Sequence, residues 1–160
     1  MSNASAVRKA VTRRETLILA LTLPGAALAQ TAPAVRIEVW QDPACGCCAG
    51  WVRHMRAAGF EVTVRQVADV RQIKVARGID EALWSCHTAL VSNYVVEGHV
   101  PAADVRRLLA ERPRAKGLAT LGMPPSAPGM DMPGTPYAVI LFGAPGGDRT
   151  WARHGGDAKL

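Results

Sequence analysis

The sequence predicts an α/β fold with the element order β-α-β-α-β-β-α, and three observations carry that expectation. Arg36–Trp40 and Glu61–Val67 alternate apolar and polar residues, the period of a half-buried strand. Between them lies a segment of helical composition closed by a glycine. Further on, two short β-branched runs are separated by Ser92-Asn93, the signature of a hairpin.

Each element has its own local reason. Asp42-Pro43 stops the first strand. Ala49–Ala58 suits a helix, with Trp51, Val52 and Met55 on one face and Gly59 as the stop just past its end. After the second strand, Asp69 can cap a helix running to about Arg77, with Gln72 completing a capping box and Gly78 ending it. Thr88–Val91 and Tyr94–Val96 form the hairpin. Pro101 sits at a helix start, Val105, Leu108 and Leu109 give that helix its core face, and Pro113 ends it.

The remainder differs in style. Leu118–Pro136 holds five prolines, three glycines and three methionines, so it is expected to be irregular. Tyr137–Phe142 is an apolar strand, Gly146-Gly147-Asp148 a turn, and Thr150–Ala152 its return partner. The whole is therefore a thioredoxin-like core with a C-terminal Met/Pro/Gly loop and a β-hairpin extension. Cys45 and Cys48 stand at C-x-x-C spacing between the first strand and the first helix, where that fold places such a pair.

The N-terminus points to export. Arg8, Lys9, Arg13 and Arg14 precede an apolar stretch, Leu17–Leu28, and a small-x-small site at Ala27-Leu28-Ala29. Residues 1–29 read as a signal peptide, and Arg13-Arg14 also fits the twin-arginine pattern. Residues 30–160 are then one domain, expected in the periplasm. The net charge of the chain is +6, and removing the leader leaves +3. No Lys/Arg run and few aromatics remain, which argues against nucleic acid as a partner. No second apolar stretch is long enough for a membrane span.

The chemistry lies in four cysteines confined to two short segments, Cys45-Gly46-Cys47-Cys48 and Cys86. In a thioredoxin arrangement the loop before the third strand, Trp84-Ser85-Cys86-His87, lies against the C-x-x-C turn, so Cys86 approaches the other three. That loop lacks the proline that thioredoxins keep there. A redox pair needs only two thiols, and Cys47 adds nothing to it. A third and fourth soft ligand suit Cu(I). Two further readings stay open: a thiol–disulfide oxidoreductase of the periplasm, and structural disulfides such as Cys45–Cys48 with Cys47–Cys86.

The chain resembles the CopG-type periplasmic copper-resistance proteins, a thioredoxin-like family. The segments that carry the resemblance are Cys45–Cys48, Ser85–Ala89, Tyr94–Pro101, Glu111-Arg112-Pro113, Gly122-Met123-Pro124 and Pro128-Gly129-Met130. They span about residues 36–154. One departure is Ser126-Ala127, where the family commonly has Gly-Ser. The resemblance implies copper binding by the cysteines, assisted by Met or His, and copper redox chemistry. Copper ions and other periplasmic copper-handling proteins are the partners it implies.

The candidate ligands are thus Cys45, Cys47, Cys48, Cys86, Met123, Met130, His87 and His99. Four thiolates carry about −4 of charge, which several Cu(I) ions offset better than one. Met123 and Met130 lie in a loop with little core to fill, and thioethers are soft ligands; Met132 carries the weaker match. Neighbours on a strand point to opposite faces, so His87 and Cys86 both face the cluster only if the backbone is irregular. His99 is either near the same end of the sheet or a helix-capping histidine. His54, two turns along the helix from Cys47, is about 10 Å of rise away and too far to share a mononuclear site. Trp51 and Trp84 flank the cysteines and are expected to shield them. Glu97 and Asp42 show no partner at a diagnostic spacing.

Overall fold

The structure, a computed structural model, describes residues 34–130, 132 and 134–155. The leader at 1–29 lies outside the described residues, as does Asp131. The elements run β1 (Arg36–Gln41), α1 (Gly46–Ala57), β2 (Glu61–Gln66), α2 (Arg71–Ala76), β3 (His87–Val91), β4 (Tyr94–Glu97), α3 (Ala102–Glu111), β5 (Gly117–Thr120), β6 (Tyr137–Phe142) and β7 (Arg149–His154), with a 3-10 turn at Glu81–Leu83 before β3.

The strands form one mixed sheet in the order β2-β1-β3-β4-β5-β6-β7. β1 pairs with β2 in parallel and with β3 antiparallel. The hairpin partner β4 pairs with β5 in parallel, and β6 runs antiparallel to both of its neighbours, β5 and β7.

Alternation along the strands divides the core between two faces. Ile37, Val39, Ala89, Val96, Leu118 and Leu141 pack with Trp51, Val52 and Met55 of α1 and Val105 and Leu108 of α3. The neighbouring residues Val95, Ala119 and Phe142 point the other way and pack with Ile79 and Leu83. Leu108 is fully buried, and truncating it to Ala would cost about 2–5 kcal/mol.

Three local expectations are corrected. Helix α1 begins at Gly46 rather than Ala49, so Cys45 is its N-cap and Cys47 and Cys48 lie in its first turn. Asp69 caps no helix by a capping box: its carboxylate accepts the Arg71 N–H and pairs with the Arg71 guanidinium, and α2 starts after Val70. The supposedly irregular Leu118–Pro136 opens with β5, all four of whose residues are buried. A Cβ on Gly117 would stand 1.8 Å from Val95 O, so only glycine allows the close approach with which β5 begins beside β4. Through β5 the C-terminal hairpin continues the sheet instead of standing beside it.

Candidate metal centre

The first cysteine segment is fixed by a turn. Asp42 Oδ1 accepts the Ala44 N–H at 2.7 Å and Asp42 O accepts the Cys45 N–H at 3.1 Å, which ends β1 and starts α1. The sulfurs therefore sit at a helix N-terminus, where unpaired N–H groups and the helix dipole favour negative charge.

Cys45 and Cys48 are joined by a disulfide, while Cys47 and Cys86 are free thiols. Cys47 Sγ lies 3.5 Å from Cys45 Sγ and 3.8 Å from Cys86 Sγ. Cys48 Sγ is 3.8 Å from Cys86 O. All four sulfurs lie within 4.8 Å of one another, so the two cysteine segments meet as the sequence led us to expect. The bridge leaves two thiols in this state instead of four. Burial, and after it the charge of Cys47, pushes the Cys86 thiol up to about 12. A soft cation placed there would displace that proton.

A second donor group adjoins the first. Cys86, His87 and His99 also offer ligand atoms within 4.8 Å of one another. His99 Nε2 is 2.9 Å from Cys86 Sγ, and His99 Nδ1 is 2.9 Å from Pro128 O. A carbonyl only accepts, so Nδ1 carries the hydrogen and Nε2 presents its lone pair to the sulfur. Burial lowers the His99 pKa, which keeps the ring neutral.

His87 is wholly buried, with Nδ1 3.5 Å from Cys86 Sγ and its ring 4.5 Å from that of Trp51 and 5.0 Å from that of His99. Cys86 precedes β3, so strand alternation does not separate the two side chains. Burial, then the charges of His99 and Lys74, holds His87 well below its ordinary pKa, and its Nε2 has no hydrogen-bond partner. Such an orphaned buried nitrogen suits a ligand or a packing role beside the cluster. Trp51 closes the site from α1, its Nε1 donating to Val100 O at 2.8 Å. Trp84 is half-buried, and its Nε1 donates to Ile79 O at 3.0 Å.

The methionine loop frames the cluster. A Cβ on Gly129 would meet Trp51 N at 2.3 Å and Cys47 O at 3.0 Å, and Gly129 has φ +88°. Gly50 and Gly129 thus let the Pro128-Gly129-Met130 turn lie directly on the first turns of α1. Met130 is half-buried beside this contact. Met123 follows Gly122, whose carbonyl accepts from Ser85 Oγ at 2.6 Å, but its side chain is 56% exposed. The structure places Met123 beside the site and leaves its side chain in solvent; Met132 is exposed as well.

His54 lies away from the sulfurs and accepts the Ala102 N–H at 3.0 Å, capping α3. Glu97, which showed no sequence partner, is fully buried and ion-paired to the buried Lys74. Thr88 Oγ1 donates to Glu97 Oε2 at 2.7 Å and accepts from Lys74 Nζ at 3.0 Å, and the Ser85 N–H donates to Glu97 Oε1 at 2.7 Å. Burial pushes the Glu97 carboxyl up, and these donors oppose it. A lone Lys on a short helix gave no signal for this pair.

A family described as a protein of unknown function, DUF411, matches residues 83–130. That span takes in Cys86, both site histidines, Met123 and Met130, and stops short of the Cys45–Cys48 turn. No curated protein matches the chain. Two solved structures of the copper resistance protein CopG do. Its form 2 is 37% identical, with TM-score 0.71, covering 76% of this chain and 98% of that one. Its form 1 is 38% identical, with TM-score 0.71, covering 77% and 99%. The mixed seven-stranded sheet is thus similar to that of CopG, and the cysteine cluster is of a kind that can bind metal. With that identity over nearly the whole length of CopG, the chain belongs to the CopG copper-resistance family.

Proposed function

We propose that this chain is an exported copper-binding protein that contributes to copper resistance in the periplasm. On a thioredoxin-like core it holds more than one Cu(I) ion between Cys45, Cys47, Cys48 and Cys86. The observation that carries this reading is the convergence of four sulfurs within 4.8 Å, three from one segment and the fourth from Cys86, 39 residues beyond Cys47. Thiolates are soft donors, and Cu(I) accepts two or three of them. His99 and His87 are further donors on Cys86, and Met130 and Met123 are loop donors at the rim. The basic, apolar and small-residue order within residues 8–29 is what supports export.

The bridge withholds two of the four thiolates until two electrons reduce it. It also gives a copper cycle a balanced form. The Cys45 and Cys48 thiolates would give up one electron each on coupling into the disulfide, and bound copper would supply the one-electron acceptors, two Cu(II) per bridge; two electrons returned to the bridge would restore both thiolates.

Titration of the reduced protein with Cu(I) against a competing chelator tests the reading. More than one equivalent should be retained, with thiols protected from alkylation. Failure to retain copper, or equal preference for Zn(II), would overturn it. The Cys45–Cys48 bridge favours one alternative, a periplasmic thiol–disulfide oxidoreductase, which needs that pair alone.

A further inference from the structure

Cys86 lies in an irregular stretch between the 3-10 turn and β3, with no ladder to fix it. The preceding Ser85 is instead fastened at three points. Its N–H donates to Glu97 Oε1 at 2.7 Å, its hydroxyl donates to Gly122 O at 2.6 Å, and its Cβ lies where Gly98 leaves room. The first anchor is a carboxylate with no exposure to solvent, and it is paired there with Lys74, 1% exposed. Two charges buried side by side are costly to desolvate, and apolar replacements of a pair are often as stable. Their presence under the Cys86 turn therefore calls for a reason other than stability. Register supplies it: Thr88 and Glu97 are directly opposed across the β3–β4 ladder, so the carboxylate is held at a fixed height beneath Ser85.

We propose that the buried Lys74–Glu97 pair is a positioning device for Cys86. Through the Ser85 N–H, Glu97 fixes the turn that carries the Cys86 thiol to Cys47, and Lys74 balances the charge that the carboxylate carries into the interior. A hydrogen-bonded support of this kind commonly governs how well a ligand is presented to its metal. The inference deepens the copper reading, because Cys86 is the ligand it places, but its geometry stands without copper.

Two double substitutions in the full chain test it. K74M/E97Q removes both charges and keeps an oxygen for the Ser85 N–H, with the amide nitrogen donating to Thr88. K74M/E97M removes the charges and the acceptor together. The first readout is the rate at which diamide closes a Cys47–Cys86 disulfide in the bridged protein, followed by mass spectrometry. The second is Cu(I) affinity of the reduced protein. K74M/E97Q should match the wild type in both. K74M/E97M should cross-link on the order of tenfold slower and bind Cu(I) about 10–100-fold more weakly. Equal rates in all three proteins, or an equal fall in both variants, would overturn the proposal. The cross-linking contrast needs no metal: if it appears while the wild type binds no copper, the copper reading alone fails. Should K74M/E97M not fold, Ser85→Pro is compared with Ser85→Ala. The proline deletes the N–H with the pair intact, the alanine only the hydroxyl. Slower cross-linking in Ser85→Pro supports the proposal, and equal rates overturn it.

Discussion

His99 Nε2 lies 2.9 Å from Cys86 Sγ, and the opposite nitrogen of the same ring is held by Pro128 O at 2.9 Å. The loop carbonyl thereby decides which nitrogen has a free lone pair, and that nitrogen faces the sulfur. A thiol without metal can donate to it; a soft cation can be shared between the two.

His99→Asn follows from this arrangement. Its amide can still donate toward Pro128 O, but nothing replaces Nε2 beside Cys86. Copper affinity should fall on the order of 10–100-fold with the fold retained, measured by competition with a Cu(I) chelator. Unchanged affinity would remove His99 from the donor set and leave it as a loop anchor.

Gly129→Ala tests the loop that carries the anchor. The added Cβ would meet the backbone of Gly50 and Trp51, with Trp51 N at 2.3 Å, at a position whose φ of +88° already disfavours a side chain. Neither backbone can give way without moving α1 or the turn. The variant should lose about 1–3 kcal/mol in denaturant unfolding. It should also lose copper affinity, because Pro128 O is displaced from His99. A loss of stability with copper affinity intact would detach the loop from the site.

A pH effect is expected at the far edge of the sheet. Tyr137 stacks on His154, which hydrogen-bonds Asp104 at 2.6 Å. Burial, and after it the charge of Asp104, pushes the Tyr137 phenol up from 10.0 to about 12. The folded state therefore keeps this proton when the unfolded chain has released it. The sign follows: folding stability is unaffected by this group below pH 10 and falls as pH rises from there to about 12. Ultraviolet titration of the phenolate, with Tyr137→Phe to assign the transition, checks it. A midpoint at the ordinary tyrosine value would contradict the packing described here.

The sequence carried the meeting of the two cysteine segments because strand and helix periods set the order of elements, and the order sets which loops share an end of the sheet. It did not carry the state of the sulfurs, since C-x-x-C spacing serves a bridge and a metal equally well. The Lys74–Glu97 pair left no trace either: its members are 23 residues apart, and only the sheet brings them together. Strand β5 was hidden because four buried residues have no alternation, and its glycine resembled loop composition. Cys86 and His87 reach one site because the backbone at Cys86 is irregular just before β3, the condition that strand alternation sets for both to face the cluster.

Cys47 separates copper chemistry from disulfide exchange. It is a free thiol 3.5 Å from Cys45 Sγ and 3.8 Å from Cys86 Sγ, so it links the bridge to the second segment. An oxidoreductase would cycle Cys45 and Cys48, one attacking and one resolving, and Cys47 would lie outside the couple. A copper site uses Cys47 as the central ligand, and its loss breaks the contact between the two cysteine segments. Cys47→Ser should therefore lower copper stoichiometry and abolish copper tolerance in complemented cells, and the wild-type protein should reduce insulin disulfides slowly. Full tolerance in Cys47→Ser cells, together with rapid insulin reduction, would assign the site to disulfide exchange.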